Sequence, residues 1–142
     1  MPLKRETSAG YLTNLAARWF GRVVEDDLRP VGVPTGYLPV FFALADGGAL
    51  TQSALARDAN IEQPTMAATL ARMERDGLIA RRPDPNDKRS ALVTLTPAAR
   101  AKLPAVEAAV MTVNAKALAP LTAAERKAFL AALNKVIAAL EG

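Results

Sequence analysis

The chain has 142 residues, 51% of them hydrophobic and 23% charged, a balance that suits one packed domain and excludes an intrinsically disordered chain. Its 18 Lys and Arg against 14 Asp and Glu leave a net charge of +4, which is compatible with a nucleic-acid partner without requiring one. With no His and no Cys, the chain lacks the usual general base, a thiol sensor, a disulfide framework and the commonest transition-metal ligands.

No apolar run reaches the roughly 18 residues of a membrane span, because Arg, Lys, Asp or Glu interrupts each one. The segment Met1-Pro2-Leu3-Lys4-Arg5-Glu6 has no apolar core of a signal peptide, so the cytoplasm is the expected compartment and no membrane contact is expected. No carboxylate pair, Gly-rich phosphate loop or nucleophile–base set is visible, so neither enzymatic activity nor a cofactor or metal is expected.

In chain order, apolar residues at 12, 15, 16, 19, 20, 23 and 24 predict a first helix from Tyr11 to Leu28 with a stripe wider than one face. The segment Arg29-Pro30-Val31-Gly32-Val33-Pro34 breaks it, and a short second helix follows from about Thr35 to Ala45, ended by Asp46-Gly47-Gly48. Thr51 is an N-cap candidate for a two-turn third helix, and Asn60-Ile61-Glu62-Gln63 is the next turn. Pro64 then suits the first position of a fourth helix, whose missing N–H has no intrahelical partner anyway. Met66, Leu70 and Met73 form that helix's inner face, and Gly77 closes it. Gln63, Pro64, Thr65, Ala67, Ala68, Ala71, Arg72 and Arg75 are left at its start, flanks or outer face.

Ala80-Arg81-Arg82 and the β-formers Leu92 to Leu95 predict a short antiparallel hairpin, with Pro83 to Lys88 as its loop and Lys88 and Arg89 at the tip. Thr96 and Pro97 start a long helix with Leu103, Val106, Val110 and Val113 at helical spacing, up to about Leu118. Pro120 interrupts, and Thr122-Ala123-Ala124-Glu125 is a capping box for a last helix striped by Phe129, Leu130, Leu133, Val136, Ile137 and Leu140. A small hairpin domain cannot bury all these stripes, so the first and last helices predict a two-fold homodimer. A two-helix unit followed by a basic hairpin is a winged helix-turn-helix pattern. The expected fold is mainly α with a small β-wing, as a single domain over 1–142: a DNA-binding lobe at 34–96, and dimerisation helices at 1–30 and 97–142.

Across residues 50–96 seven basic residues face six acidic ones, so placement decides more than number. Gln63 and Thr65 can hydrogen-bond base edges, whereas Pro64, Ala67 and Ala68 permit close approach and thymine-methyl contact. Such a helix reads DNA mainly through methyl contacts and shape. Taken singly, Arg72 and Arg89 are as compatible with solvated charges as with DNA contacts.

Two motifs raise those odds. The pattern D-x-R-x-x-x-V-x-L-T, here Asp87, Arg89, Val93, Leu95 and Thr96, resembles the wing of the MarR family of multiple-antibiotic-resistance regulators. Upstream, Leu70-Ala71-Arg72-Met73-Glu74-Arg75-Asp76-Gly77-Leu78-Ile79 resembles that family's recognition-helix exit, L-x-R-[LM]-E-x-x-G-L-[IV]. The resemblance extends loosely from about Tyr11 to Leu140. It implies a DNA-binding transcriptional regulator that represses until a small ligand releases it, with a pseudo-palindromic double-stranded operator as partner. It implies base contacts at Gln63, Pro64, Thr65, Ala67, Ala68 and Arg72, a minor-groove contact by Arg89 held by Asp87, and Lys88 beside the phosphates. It further implies an aromatic or phenolic acid as effector, with Trp19, Tyr37 and Phe41 as apolar walls and Arg18 or Arg22 pairing the carboxylate. A winged module that docks protein, or a regulator indifferent to ligands, is the alternative.

Overall fold

The computed structural model describes residues 3–142; Met1 and Pro2, the start of the expected 1–30 segment, lie outside it. Ser8 accepts a hydrogen bond from the Tyr11 amide and so caps α1, Ala9–Leu28. Two single 3-10 turns, Arg29–Val31 and Thr35–Tyr37, carry the chain around the prolines into α2, Leu38–Leu44. After β1, Leu50–Thr51, come α3, Gln52–Ala59, and α4, Gln63–Arg75; β2, Ile79–Asp84, and β3, Asp87–Leu95, follow. The chain ends in α5, Pro97–Leu118, and α6, Ala123–Glu141.

The expected caps form. Thr51 Oγ1 accepts from the Ala54 amide, Thr96 Oγ1 from the Ala99 amide, and Thr122 with Glu125 closes a full capping box. Asn60 takes the left-handed conformation at φ 52° and ends α3, a conformation its short polar side chain tolerates. Gly77, at φ 75°, does the same after α4, and the Leu78 amide returns to the Met73 carbonyl at 2.8 Å.

The sheet has the order β1-β3-β2 and is antiparallel throughout. Ala80, Arg81 and Arg82 pair with Thr94, Val93 and Leu92. Two features differ from the sequence reading. β1 is a third strand, pairing Leu50 with Val93 and Thr51 with Leu92; two residues are too few to show a strand period. The hairpin loop is shorter than Pro83 to Lys88, because Asp84 pairs with Asp87 and only Pro85 and Asn86 turn the chain. Asp84 Oδ1 accepts from the Asn86 amide at 2.9 Å, a local side-chain bond that tightens the turn. Pro83 is accommodated because β2 is an edge strand.

One core joins these elements. Val24 and Leu28 of α1, Tyr37, Val40, Phe41 and Leu44 around α2, and Met66, Leu70 and Met73 of α4 are buried with Val93, Leu95, Val106 and Val113. Ala99 and Ala109 are buried on α5 too, positions that a search for large apolar residues passes over. By contrast α6 buries none of its residues. Leu130, Val136, Ile137 and Leu140 are exposed on it, as are Tyr11, Leu12 and Trp19 on α1.

Candidate nucleic-acid interface and apolar groove

The face of α4 opposite Met66, Leu70 and Met73 carries the candidate readers. Gln63, Pro64, Thr65, Ala68 and Arg72 are exposed and Ala67 is half-buried, so helical periodicity alone turns them outward once the methionines enter the core. Arg72 Nη2 donates to Thr69 Oγ1 at 3.4 Å, and among the described residues it has no carboxylate partner. Arg75 pairs with Asp76 at 3.1 Å, and Arg81 pairs with Glu74 at 3.5 Å. Those two guanidiniums are engaged within the protein, whereas Arg72 is left free for an external anion.

On the wing, Lys88 and Arg89 lie on β3 just past the turn and are exposed. The Arg89 side chain is 92% exposed, with Nε 3.5 Å from Asp87 Oδ1. That same carboxylate oxygen accepts from the Arg89 amide at 2.9 Å, so Asp87 fixes both the backbone and the guanidinium of its neighbour. Ser90 Oγ donates to Asp84 Oδ2 at 3.1 Å and braces the turn across the hairpin. Carboxylates thus bond the turn and the Arg89 amide of the wing, while the Arg89 side chain stands largely in solvent.

Two contacts around α4 escape a reading of the sequence alone. Gln52 Nε2, at the first residue of α3, donates to Gln63 Oε1 at 3.4 Å. The Tyr37 hydroxyl donates to Asp76 Oδ2 at 2.7 Å. Burial first, and that hydrogen bond second, raise the Tyr37 pKa above its ordinary value. The Tyr37 hydroxyl, and then the Arg75 guanidinium, hold the Asp76 carboxyl below the usual carboxylate range.

The five expected ligand residues do not line one cavity. Tyr37 and Phe41 are core residues, Tyr37 with its hydroxyl already bonded to Asp76. Phe41 also borders a cavity of about 200 Å³ between α2 and α5, with Phe42, Val106, Glu107 and Met111. Trp19 instead lies in a groove of about 430 Å³ formed by α1, α5 and the start of α6, with Phe20, Val23, Lys116, Leu121 and Phe129. Arg22 is stacked over the Trp19 ring, 5.4 Å from its centroid. Arg18 is exposed and borders neither space. The aromatics of the N-terminal helices therefore divide between core packing, as for Tyr37 and Phe41, and this groove, as for Trp19 and Phe20. Lys116 and Phe129, far off in sequence, complete the groove unannounced by any motif.

A helix-turn-helix with an exposed outer face, followed by a braced basic wing, defines a DNA-binding transcriptional regulator. The MarR family model matches residues 40–91, which span α2 to the middle of β3. The chain is 29% identical over 136 residues to the transcriptional repressor Rv2887 of Mycobacterium tuberculosis, covering 96% of this chain and 98% of that protein. A MarR-family regulator from Silicibacter pomeroyi superposes with a TM-score of 0.81 at 30% identity, covering 97% of this chain and 95% of the other. BpsR of Bordetella bronchiseptica, whose DNA binding is regulated by 6-hydroxynicotinic acid, superposes with a TM-score of 0.85 at 26% identity, over 96% and 97% of the two chains. The chain belongs to the MarR family.

Proposed function

We propose that this chain is a homodimeric repressor that grips a pseudo-palindromic operator and lets go when a small aromatic acid binds. The observation that carries the DNA reading is the pair of exposed arginines, Arg72 on the outer face of α4 with no carboxylate partner among the described residues, and Arg89 on the wing, 92% exposed beside Asp87. Gln63, Pro64, Thr65, Ala67 and Ala68 meet base edges in the major groove. Arg89, aligned by Asp87, enters the adjacent minor groove, and Lys88 meets phosphate. The division into a lobe at 34–96 and dimerisation helices at 1–30 and 97–142 is supported by the unburied apolar stripe of α6. A second copy is its natural cover, because closed two-fold contacts bury such a stripe on both partners at once.

The effector seat is the Trp19 groove. Trp19, Phe20 and Phe129 offer planar walls, and Lys116 and Arg22 supply cationic charge for a carboxylate. BpsR, with its aromatic acid effector, favours the same ligand class. The groove borders α1 and α6, so an occupant acts by favouring a spacing of the two lobes that no longer matches the half-sites.

Selection of bound duplexes from a random pool, followed by a salt series, tests the DNA reading; retention that ignores salt and sequence overturns it. Small aromatic acids are then titrated while following Trp19 fluorescence and operator release. An acid that releases the operator without changing Trp19 emission places the seat elsewhere.

A further inference from the structure

The contact between Gln52 and Gln63 has a chemical consequence for what the recognition helix reads. Gln63 is the first residue of α4 and Gln52 the first of α3. Gln63 is exposed, while Gln52 is half-buried at the turn between strand and helix, following the capping Thr51. Gln52 Nε2 donates to Gln63 Oε1 at 3.4 Å. A lone exposed glutamine at a helix start samples several rotamers and must be ordered on binding. A second amide holding its carbonyl removes part of that freedom.

We infer that Gln52 is a positioning residue that aims the Gln63 amide at an adenine of the operator; the inference rests on the DNA-binding reading above. An amide carbonyl has two lone pairs, and Gln52 takes one. Gln63 is left with one acceptor site beside two N–H donors. That side-by-side donor and acceptor match the N7 acceptor and N6 amino donor of adenine in the major groove. Guanine presents two acceptors there and leaves the Gln63 carbonyl with no donor on the base, while cytosine and thymine each offer only one polar group of the pair. Gln52 keeps a second N–H. In a helix-turn-helix, the first helix crosses the sugar–phosphate backbone, so this N–H suits a phosphate oxygen. One amide thus ties phosphate to reader and sets the register of Gln63 over the base. Beside Pro64, Ala67 and Ala68, which make only apolar contacts, this pair adds a polar, base-discriminating element to Thr65 and Arg72.

The test uses the full chain and an operator recovered by selection, with each half-site position changed in turn to all four bases. The wild type is expected to prefer adenine at one position by about tenfold, the scale of a bidentate amide contact. Q63A and Q52M should each remove most of that preference; Q52M, which also loses a phosphate donor, should weaken binding to a random duplex as well, but by less than it weakens binding to the selected operator. The double variant should discriminate between bases no worse than Q63A alone, since Gln52 affects base choice only through Gln63. Q52K, whose ammonium can donate to both Gln63 and phosphate, should keep the preference; a residue needed only for packing would not separate Met from Lys. Q52A repeats the Q52M measurement without the thioether chain, with circular dichroism reporting the fold. Undiminished adenine preference in Q52M and Q52A, additive losses in the double variant, or a different base lost in Q63A overturns the inference. A wild type that selects no duplex overturns the DNA reading itself.

Discussion

The Tyr37 hydroxyl donates a 2.7 Å hydrogen bond to Asp76 across 39 positions of chain. It ties the 3-10 turn ahead of α2 to the C-terminal end of α4. Phe41, one helical turn beyond Tyr37, is buried in the same core. The exit of the recognition helix is therefore tied to the turn that leads into α2.

Tyr37→Phe keeps the ring and deletes only that bond, so unfolding should occur a few degrees lower, on the scale of one side-chain hydrogen bond in a chain this size. Its pH signature has two limbs. Asp76 is held below the ordinary carboxylate pKa, so its contribution is present above that range and is lost as pH falls through the folded value. Tyr37 is raised above 10.0, so its contribution is present below that pH and is lost as pH rises through the folded value. Thermal melts of wild type and Tyr37→Phe across pH should converge at both extremes. A constant gap at every pH refutes the assignment.

Arg89→Ala should weaken binding most at A·T-rich flanks, where a narrow minor groove attracts a guanidinium. Arg72→Ala should weaken binding more evenly and lower the salt slope by about 1 if its partner is a phosphate. Titrations of both variants over a salt series separate the two roles, and unchanged affinity for Arg89→Ala removes the wing from the interface.

Asp87→Ala deletes a negative charge beside the phosphates, yet affinity should fall. Its carboxylate holds both the Arg89 amide and guanidinium, and an unheld arginine must lose rotamer freedom on binding. Tighter binding by the variant would mean that bulk electrostatics outweighs this alignment.

Ile137→Lys combined with Leu140→Lys should convert dimers to monomers in sedimentation while helix content is kept, because the chain itself buries neither side chain. Operator affinity should fall with it, since one lobe then holds one half-site. A dimer that survives both charges relocates the interface away from the end of α6.

Peroxide and zinc should leave the operator complex intact at doses where an aromatic acid dissolves it. The chain has no Cys or His, so it can form neither a reversible thiol switch nor an imidazole or thiolate zinc site; Met66 and Met73 are buried, and Met111 is exposed on α5. Operator release by peroxide, with no acid effective, defeats ligand control.

Local chemistry was legible in the chain itself. Caps at Thr51, Thr96 and Thr122, the breaks at Pro30, Gly47 and Gly77, and the inner row Met66, Leu70 and Met73 each depend on residues within one or two helical turns, and they stand where periodicity and capping rules put them. The outward row from Gln63 to Arg72 follows from the same geometry. Only tertiary structure decided what joins across distance: β1 against β3, Tyr37 with Asp76, Gln52 with Gln63, and Lys116 with Trp19 around one groove. It also separated Phe41 and Tyr37 from Trp19, although the family resemblance placed all three around one effector. The reason is physical: a helix face is set by a period of 3.6 residues along the chain, whereas a pocket or a long-range hydrogen bond is set by how those faces pack, and no local rule encodes that.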